Sequence, residues 1–168
     1  MGKRFKVLAA AAALALIAGC GKQPGGSGPE ADTPPALTAA TLGEQQVLGA
    51  SDYLAQAPYA DADQSNGVRQ AQVCRACHSF DPGGPHMIGP ALGEFFGTPA
   101  GSRDGFEYSQ VLRDSDFVWT PRALDAWLAQ PGRFLPGNRM TFAGVLRDED
   151  RNDLIAYLLQ VTSESSKQ

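Results

Sequence analysis

Cysteine occurs only three times in the 168 residues, at positions 20, 74 and 77, and histidine only twice, at 78 and 86. Structural zinc takes four ligands, so this supply leaves little margin once Cys20 is accounted for elsewhere. Lysine is scarcer still for a chain of this length: four residues, none of them between positions 23 and 166. With a formal charge of −4, an acidic and lysine-poor product is excluded as a nucleic-acid binder. No pair of carboxylates at catalytic spacing and no nucleophile beside a base presents itself. Long apolar runs are missing as well, because Val7 to Ile17 covers eleven residues where a helical span needs about twenty.

That short run is informative. It follows the cations Lys3, Arg4 and Lys6, so residues 1–19 read as a secretory signal. Leu16-Ile17-Ala18-Gly19-Cys20 resembles the bacterial lipobox, which implies lipidation of Cys20 as the mature N-terminus and anchoring on a membrane surface. Ordinary cleavage near the alanines, leaving Cys20 a spare thiol, is the alternative. Gly21 lacks the aspartate associated with inner-membrane retention, which favours the outer membrane, on its periplasmic side. Loss of the signal takes the charge from −4 to −7. Residues 20–60 read as a tether: Gly, Pro, Ser, Thr and Ala dominate 21–40, and Leu42, Val47, Leu48 and Leu54 permit a weak helix or a plain connection. The main domain is expected over 61–163, with 164–168 a disordered tail.

The domain is organised by Cys74-Arg75-Ala76-Cys77-His78, the C-x-x-C-H pattern of covalent haem attachment. Two residues between the thiols let both sulfurs reach neighbouring vinyl groups, and the adjoining histidine meets the iron. A thioredoxin-like redox pair would need a βαβ setting that the flanking sequence does not offer. Gln64 to Val73 is the expected first helix, with Gly67 and Ala71 forming a small-residue face for a partner. The partner is Arg147 to Val161, where Leu154, Ile155, Leu158 and Leu159 make one apolar stripe behind acids at 148–150. Thr120-Pro121 reads as a helix N-cap and first position, leading to Leu124, Trp127 and Leu128. Trp119 and Trp127 are expected as walls of the haem pocket.

Between Asp81 and Pro90 proline and glycine forbid regular structure, so a loop should wrap the haem edge. His86 sits there, only eight residues after His78, and reads as a structural histidine bonded to loop backbone. Met140 follows the Pro136-Gly137 turn and suits the iron's sixth position, whereas Met87 shares the short reach of His86.

Residues 66–161 resemble the class I cytochromes c of the mitochondrial type, aligning without gaps from the attachment motif to the last helix. The matching residues are Cys74-x-x-Cys77-His78, Gly83-Gly84 with His86, Gly89-Pro90-x-Leu92, Gly97, Tyr108-Ser109, Trp119, Pro131, Pro136-Gly137-x-x-Met140-x-Phe142-x-Gly144, and Arg151-x-x-Leu154-Ile155-Ala156-Tyr157-Leu158. The resemblance implies an all-α fold of small helices and loops around one covalent haem c, with His78 and Met140 as axial ligands. It implies that the Pro90 carbonyl receives the His78 ring N–H, that Tyr108 and Trp119 bond a buried propionate, and that Asn138 lies beside it. Trp127 stands where the family has a tyrosine directed at the methionine sulfur, and Thr98 where it has an arginine, for which Arg103 is a substitute. The family's lysine ring is replaced at best by Arg75, Arg133, Arg139 and Arg147.

With both axial positions filled, the iron exchanges single electrons and offers no site to a substrate. The expectation is a non-enzymatic, membrane-tethered carrier between a respiratory donor and a terminal oxidase or peroxidase. Two alternatives stay open: a fixed electron-transfer subunit of an oxidase complex, docked through residues 42–60, and a haem enzyme or gas binder with a labile Met140.

Overall fold

The computed structural model describes residues 37–163; the expected signal, Cys20, the chain up to 36 and the tail 164–168 lie outside the described residues. Among the described residues six α-helices follow one another, α1 (Ala50–Leu54), α2 (Gln64–Arg75), α3 (Gln110–Arg113), α4 (Pro121–Ala129), α5 (Pro131–Phe134) and α6 (Asp148–Ser163), with short 3-10 turns at Ala39–Thr41 and Tyr59–Asp61. Among the described residues no strand forms, and one isolated antiparallel bridge joins Pro99 to Val118. The all-α expectation holds.

The frame is the crossing of α2 and α6. Helix α2 starts at Asp63, whose carboxylate accepts from the Ser65 and Asn66 N–H groups that have no partner inside the helix. The backbone N–H of Asp63 donates to Asp153 Oδ1 at 2.8 Å, and the Asn66 amide donates to Asp150 and Asp153 at 2.8 Å each. These bonds fix the register of one helix on the other. Closeness comes from Gly67: a Cβ built there would lie 2.4 Å from the Asp153 carbonyl oxygen. Ala71, one turn on, is fully buried.

The stripe of α6 is the core. Leu154, Ile155 and Leu159 are fully buried and Leu158 nearly so, each worth about 1.5–3 kcal/mol of removed apolar surface. Arg151 on the same helix is also buried. Its guanidinium donates to Asp125 and Asp148 at 2.7 Å and to the carbonyls of Val145 and Leu146 at 2.9 and 3.1 Å. A buried charge persists when paired and hydrogen-bonded like this, and here it ties α6 to α4 and to the loop between them.

Helix α4 begins as its sequence indicates, with Thr120 Oγ1 accepting from the Ala123 N–H and proline at the first position. It buries Ala123, Leu124, Trp127 and Leu128. Phe117, Trp119, Trp127 and Phe134 close a ring of edge-to-face contacts with centroids 4.9–5.9 Å apart. Such pairs add about 0.5–1.5 kcal/mol each beyond area burial.

The packing extends N-terminal of residue 61, into the stretch grouped above with the tether. Leu42 is 1% exposed, inside the main core. Tyr53, on α1, donates from its hydroxyl to the Gln46 carbonyl at 2.8 Å and accepts from the Leu48 N–H at 3.0 Å, closing a small loop. The physical reason is long-range: Gln45 finds its partners 73 and 75 positions away and Leu42 belongs to the main core cluster, neither of which local periodicity registers.

Candidate haem site

The end of α2 turns sharply. Both the Cys77 and His78 N–H groups donate to the Cys74 carbonyl, at 3.1 and 3.0 Å, so that Cys74, Cys77 and His78 line one cavity of about 310 Å³. His78 Nδ1 lies 2.7 Å from the Pro90 carbonyl oxygen. A carbonyl only accepts, so Nδ1 carries the proton and Nε2 keeps its lone pair free. Burial pulls the imidazole below its ordinary pKa, with the Pro90 bond opposing, and the ring stays neutral near pH 7. Gly89 makes room for it: a Cβ there would lie 2.3 Å from His78 Cε1.

Met140 lines the same cavity from the far end of the domain's sequence. Its backbone N–H donates to Asn138 Oδ1 at 2.9 Å, while the Asn138 amide donates to the Pro131 and Leu135 carbonyls at 2.9 and 2.8 Å. Gly137 supplies the left-handed turn, φ +88°, that this staple needs. Asn138 is therefore occupied with its own loop and does not line the cavity, unlike the propionate contact expected for it. Pro90, Tyr108, Trp119 and Trp127 all do line it.

Two polar atoms test what the cavity is shaped for. Arg103 Nε and Ser109 Oγ are buried and lack any protein partner, although both residues lie on its wall. Buried donors of this kind are rare and ask for an acceptor. An apolar cleft with one free imidazole nitrogen, two thiols and two unpartnered donors fits an apolar macrocycle with an anionic edge, which is a haem with its propionates.

No family model matches the chain. Among characterised proteins it is 36% identical to cytochrome c2 of Blastochloris viridis over 111 residues, 66% of this chain and 87% of that one. It is 38% identical to cytochrome c of Chlamydomonas reinhardtii over 109 residues, 65% and 96% of the two chains. Cytochrome c2 of Rhodomicrobium vannielii matches at 34% over 112 residues, 67% and 90%. The chain belongs to the class I cytochromes c. It is a haem electron-transfer protein, and its cofactor is one covalently attached haem c.

Before the haem is attached, Cys74 is not poised for other chemistry. Burial pushes the Cys74 thiol up to about 11, its own backbone opposing and Cys77 adding to the rise, so it is a neutral thiol rather than a metal-binding or redox-active thiolate. His86 is structural: its Nδ1 accepts from the Ala91 N–H at 3.0 Å and its Nε2 donates to the Asp104 carbonyl at 2.9 Å, leaving nothing for iron. Burial also raises the Tyr108 pKa, against the nearby Arg103, and keeps this phenol a donor.

The surface around the site combines arginines with exposed apolar side chains. Arg75 donates to the Tyr157 hydroxyl at 2.9 Å and stacks on Phe80, Arg139 is bonded to Glu107, and Arg147 pairs with Glu149 and Asp150 at 3.6 and 3.8 Å. Three of the four arginines of the supposed rim are thus engaged. Exposed apolar side chains join Arg139 on the cavity wall: Val73 and above all Ile88, 80% exposed, with Met87 exposed next to Ile88 in the chain. Ile88 went unnoticed in the sequence because a lone isoleucine in a loop carries no periodic signal.

Proposed function

We propose that this cytochrome is an exported, lipid-anchored one-electron carrier of a respiratory chain, with haem joined to Cys74 and Cys77 and iron held between His78 and Met140. One observation carries the reading: a histidine whose Nδ1 is committed to Pro90 shares a cavity with a methionine whose backbone is stapled by Asn138. The haem supplies a single-electron couple. The chain's part is to fill both axial positions, which shuts out substrates, and to keep the ring neutral and its surroundings apolar, which favours the ferrous state. The Pro90 bond also raises ligand basicity. A respiratory donor and an acceptor, a terminal oxidase or peroxidase, would dock around the cavity mouth, on Val73, Ile88 and Arg139 and the neighbouring Met87, through a small interface that releases readily.

Carbon monoxide tests the axial assignment. The ferrous holoprotein keeps its spectrum when mixed with the gas; rapid conversion to a carbonyl spectrum would bring forward the gas-binding alternative. For the anchor, Cys20→Ala moves the protein from the detergent phase to the aqueous phase on Triton X-114 partition, since about 0.8 kcal/mol per buried CH₂ is lost with the acyl chains. A variant that stays with detergent would leave lipidation unsupported. Against the fixed-subunit alternative, Leu42 and Gln45 of the supposed docking element are spent on their own domain, which supports a free carrier.

A further inference from the structure

The segments 97–100 and 117–120 run antiparallel on the cavity's flank. Gly97 N–H donates to the Trp119 carbonyl, Trp119 N–H to the Thr98 carbonyl, and Ala100 N–H to the Phe117 carbonyl, all at 2.9 Å. In such a ladder alternate residues point their backbone groups away from the partner strand, so Val118 turns its N–H and C=O outward. Half-buried backbone groups of this kind need partners, and the next strand would ordinarily supply them.

Here one side chain supplies the partner of the Val118 N–H and shares the Val118 carbonyl with the Thr120 N–H, which donates to it at 2.9 Å. Gln45 Oε1 accepts from the Val118 N–H at 2.8 Å, and Gln45 Nε2 donates to the Val118 carbonyl at 2.7 Å and to Thr120 Oγ1 at 2.8 Å. The primary amide reproduces the donor and acceptor of a peptide group. Its third bond ends on the hydroxyl that caps α4. Gln45 therefore grips the residues on both sides of Trp119 and the start of the helix carrying Leu124, Trp127 and Leu128, all on the cavity wall. Leu42 anchors the strap three residues earlier in the core, and Val47 Cγ1 lies over Gly97, 3.2 Å from where a Cβ would stand. This strap lies outside the stretch 66–161 that resembles the family.

We propose that Gln45 is a positioning residue for the haem-pocket wall: it completes the exposed edge at Val118 and so sets the placement of Trp119 against the cofactor. The strap then does more than add stability, because it tunes the haem environment from outside the core domain. The proposal rests on the cytochrome assignment only for its haem readout; the backbone readout is independent of it.

The test compares the reduced full-length holoprotein with Gln45→Ala and Gln45→Glu, the glutamate keeping the acceptor for Val118 and losing both donors. Three quantities are measured: hydrogen exchange at the Val118 amide, the near-ultraviolet tryptophan dichroism, and the midpoint potential. In Gln45→Ala, Val118 exchanges at least about tenfold faster, the tryptophan band changes and the potential shifts. Gln45→Glu retains Val118 protection yet shows the tryptophan and potential changes in reduced size, and it carries the comparison should the alanine variant not fold. Variants that melt earlier but keep the wild-type tryptophan band and potential would reduce the strap to a stability element and overturn the proposal. Unchanged Val118 exchange in Gln45→Ala would show that the clasp does not exist in solution.

Discussion

Met140→Ala turns the oxidised holoprotein from low-spin to high-spin, erases its sulfur-to-iron charge-transfer band, lowers the reduction potential, and opens the ferrous form to carbon monoxide. Met140 brings to the cavity wall a soft sulfur that is not taken up by the attachment motif, and loss of a ligand that favours ferrous iron lowers the potential. His86 cannot take over, as its two nitrogens are bonded to Asp104 and Ala91. Asn138→Ala separates ligand from support. Its Oδ1 holds the Met140 N–H and its amide ties Pro131 and Leu135, so removing it loosens the loop without removing sulfur. Supporting contacts of this type are worth about 10–100-fold in ligand affinity. Asn138→Ala should therefore keep the band while methionine dissociation becomes about tenfold more frequent, read as faster cyanide binding to the ferric protein. A charge-transfer band that survives in Met140→Ala would remove this residue from the iron.

What could be read from sequence was what local chemistry controls. The Thr120-Pro121 start of α4 needed only a hydroxyl three residues before an N–H and a ring with the right φ. The α6 stripe needed only period, and Gly67 with Ala71 only four-residue spacing. The attachment motif is contiguous. The pieces that escaped are those set by distant partners or by too few residues. Helices α3 and α5 are one turn each, too short for any periodic pattern. Gln45 is a polar residue in an unremarkable stretch, and its partners lie 73 and 75 positions away. Arg151 matched the family pattern, but its burial depends on Asp125 of another helix and on carbonyls in the preceding loop. Asn138 was expected beside a propionate on analogy with a threonine; an amide has two donors and an acceptor, and the loop that carries it uses all of them.

The helix crossing yields the second large effect. Gly67→Ala would normally stabilise a helix interior by about 1 kcal/mol, because glycine loses more backbone entropy on folding. At this position the sign reverses. The added Cβ would stand 2.4 Å from the Asp153 carbonyl oxygen and 2.8 Å from Tyr157 Cβ, and the first of these is backbone of a helix whose other face is locked in the core by Leu154 and Ile155. Relief requires α2 and α6 to separate, which also stretches the bonds from Asp63 and Asn66 to Asp150 and Asp153. Overpacking costs about 1–3 kcal/mol, so Gly67→Ala loses about 1 kcal/mol net and Gly67→Val, bulkier and a poorer helix former, about 3 kcal/mol. The readout is the denaturant midpoint of the holoprotein at unchanged slope. Gly132→Ala is the control, since a Cβ on that glycine of α5 meets nothing within 4 Å, and it should leave the midpoint unchanged or raise it. Two turns beyond Gly67 the same helix delivers Cys74, so separation at the crossing moves a thiol at the cavity wall. The Gly67→Val protein should accordingly mature with less attached haem, while a Gly67→Val protein as stable as wild type would mean that α2 and α6 do not meet at backbone distance.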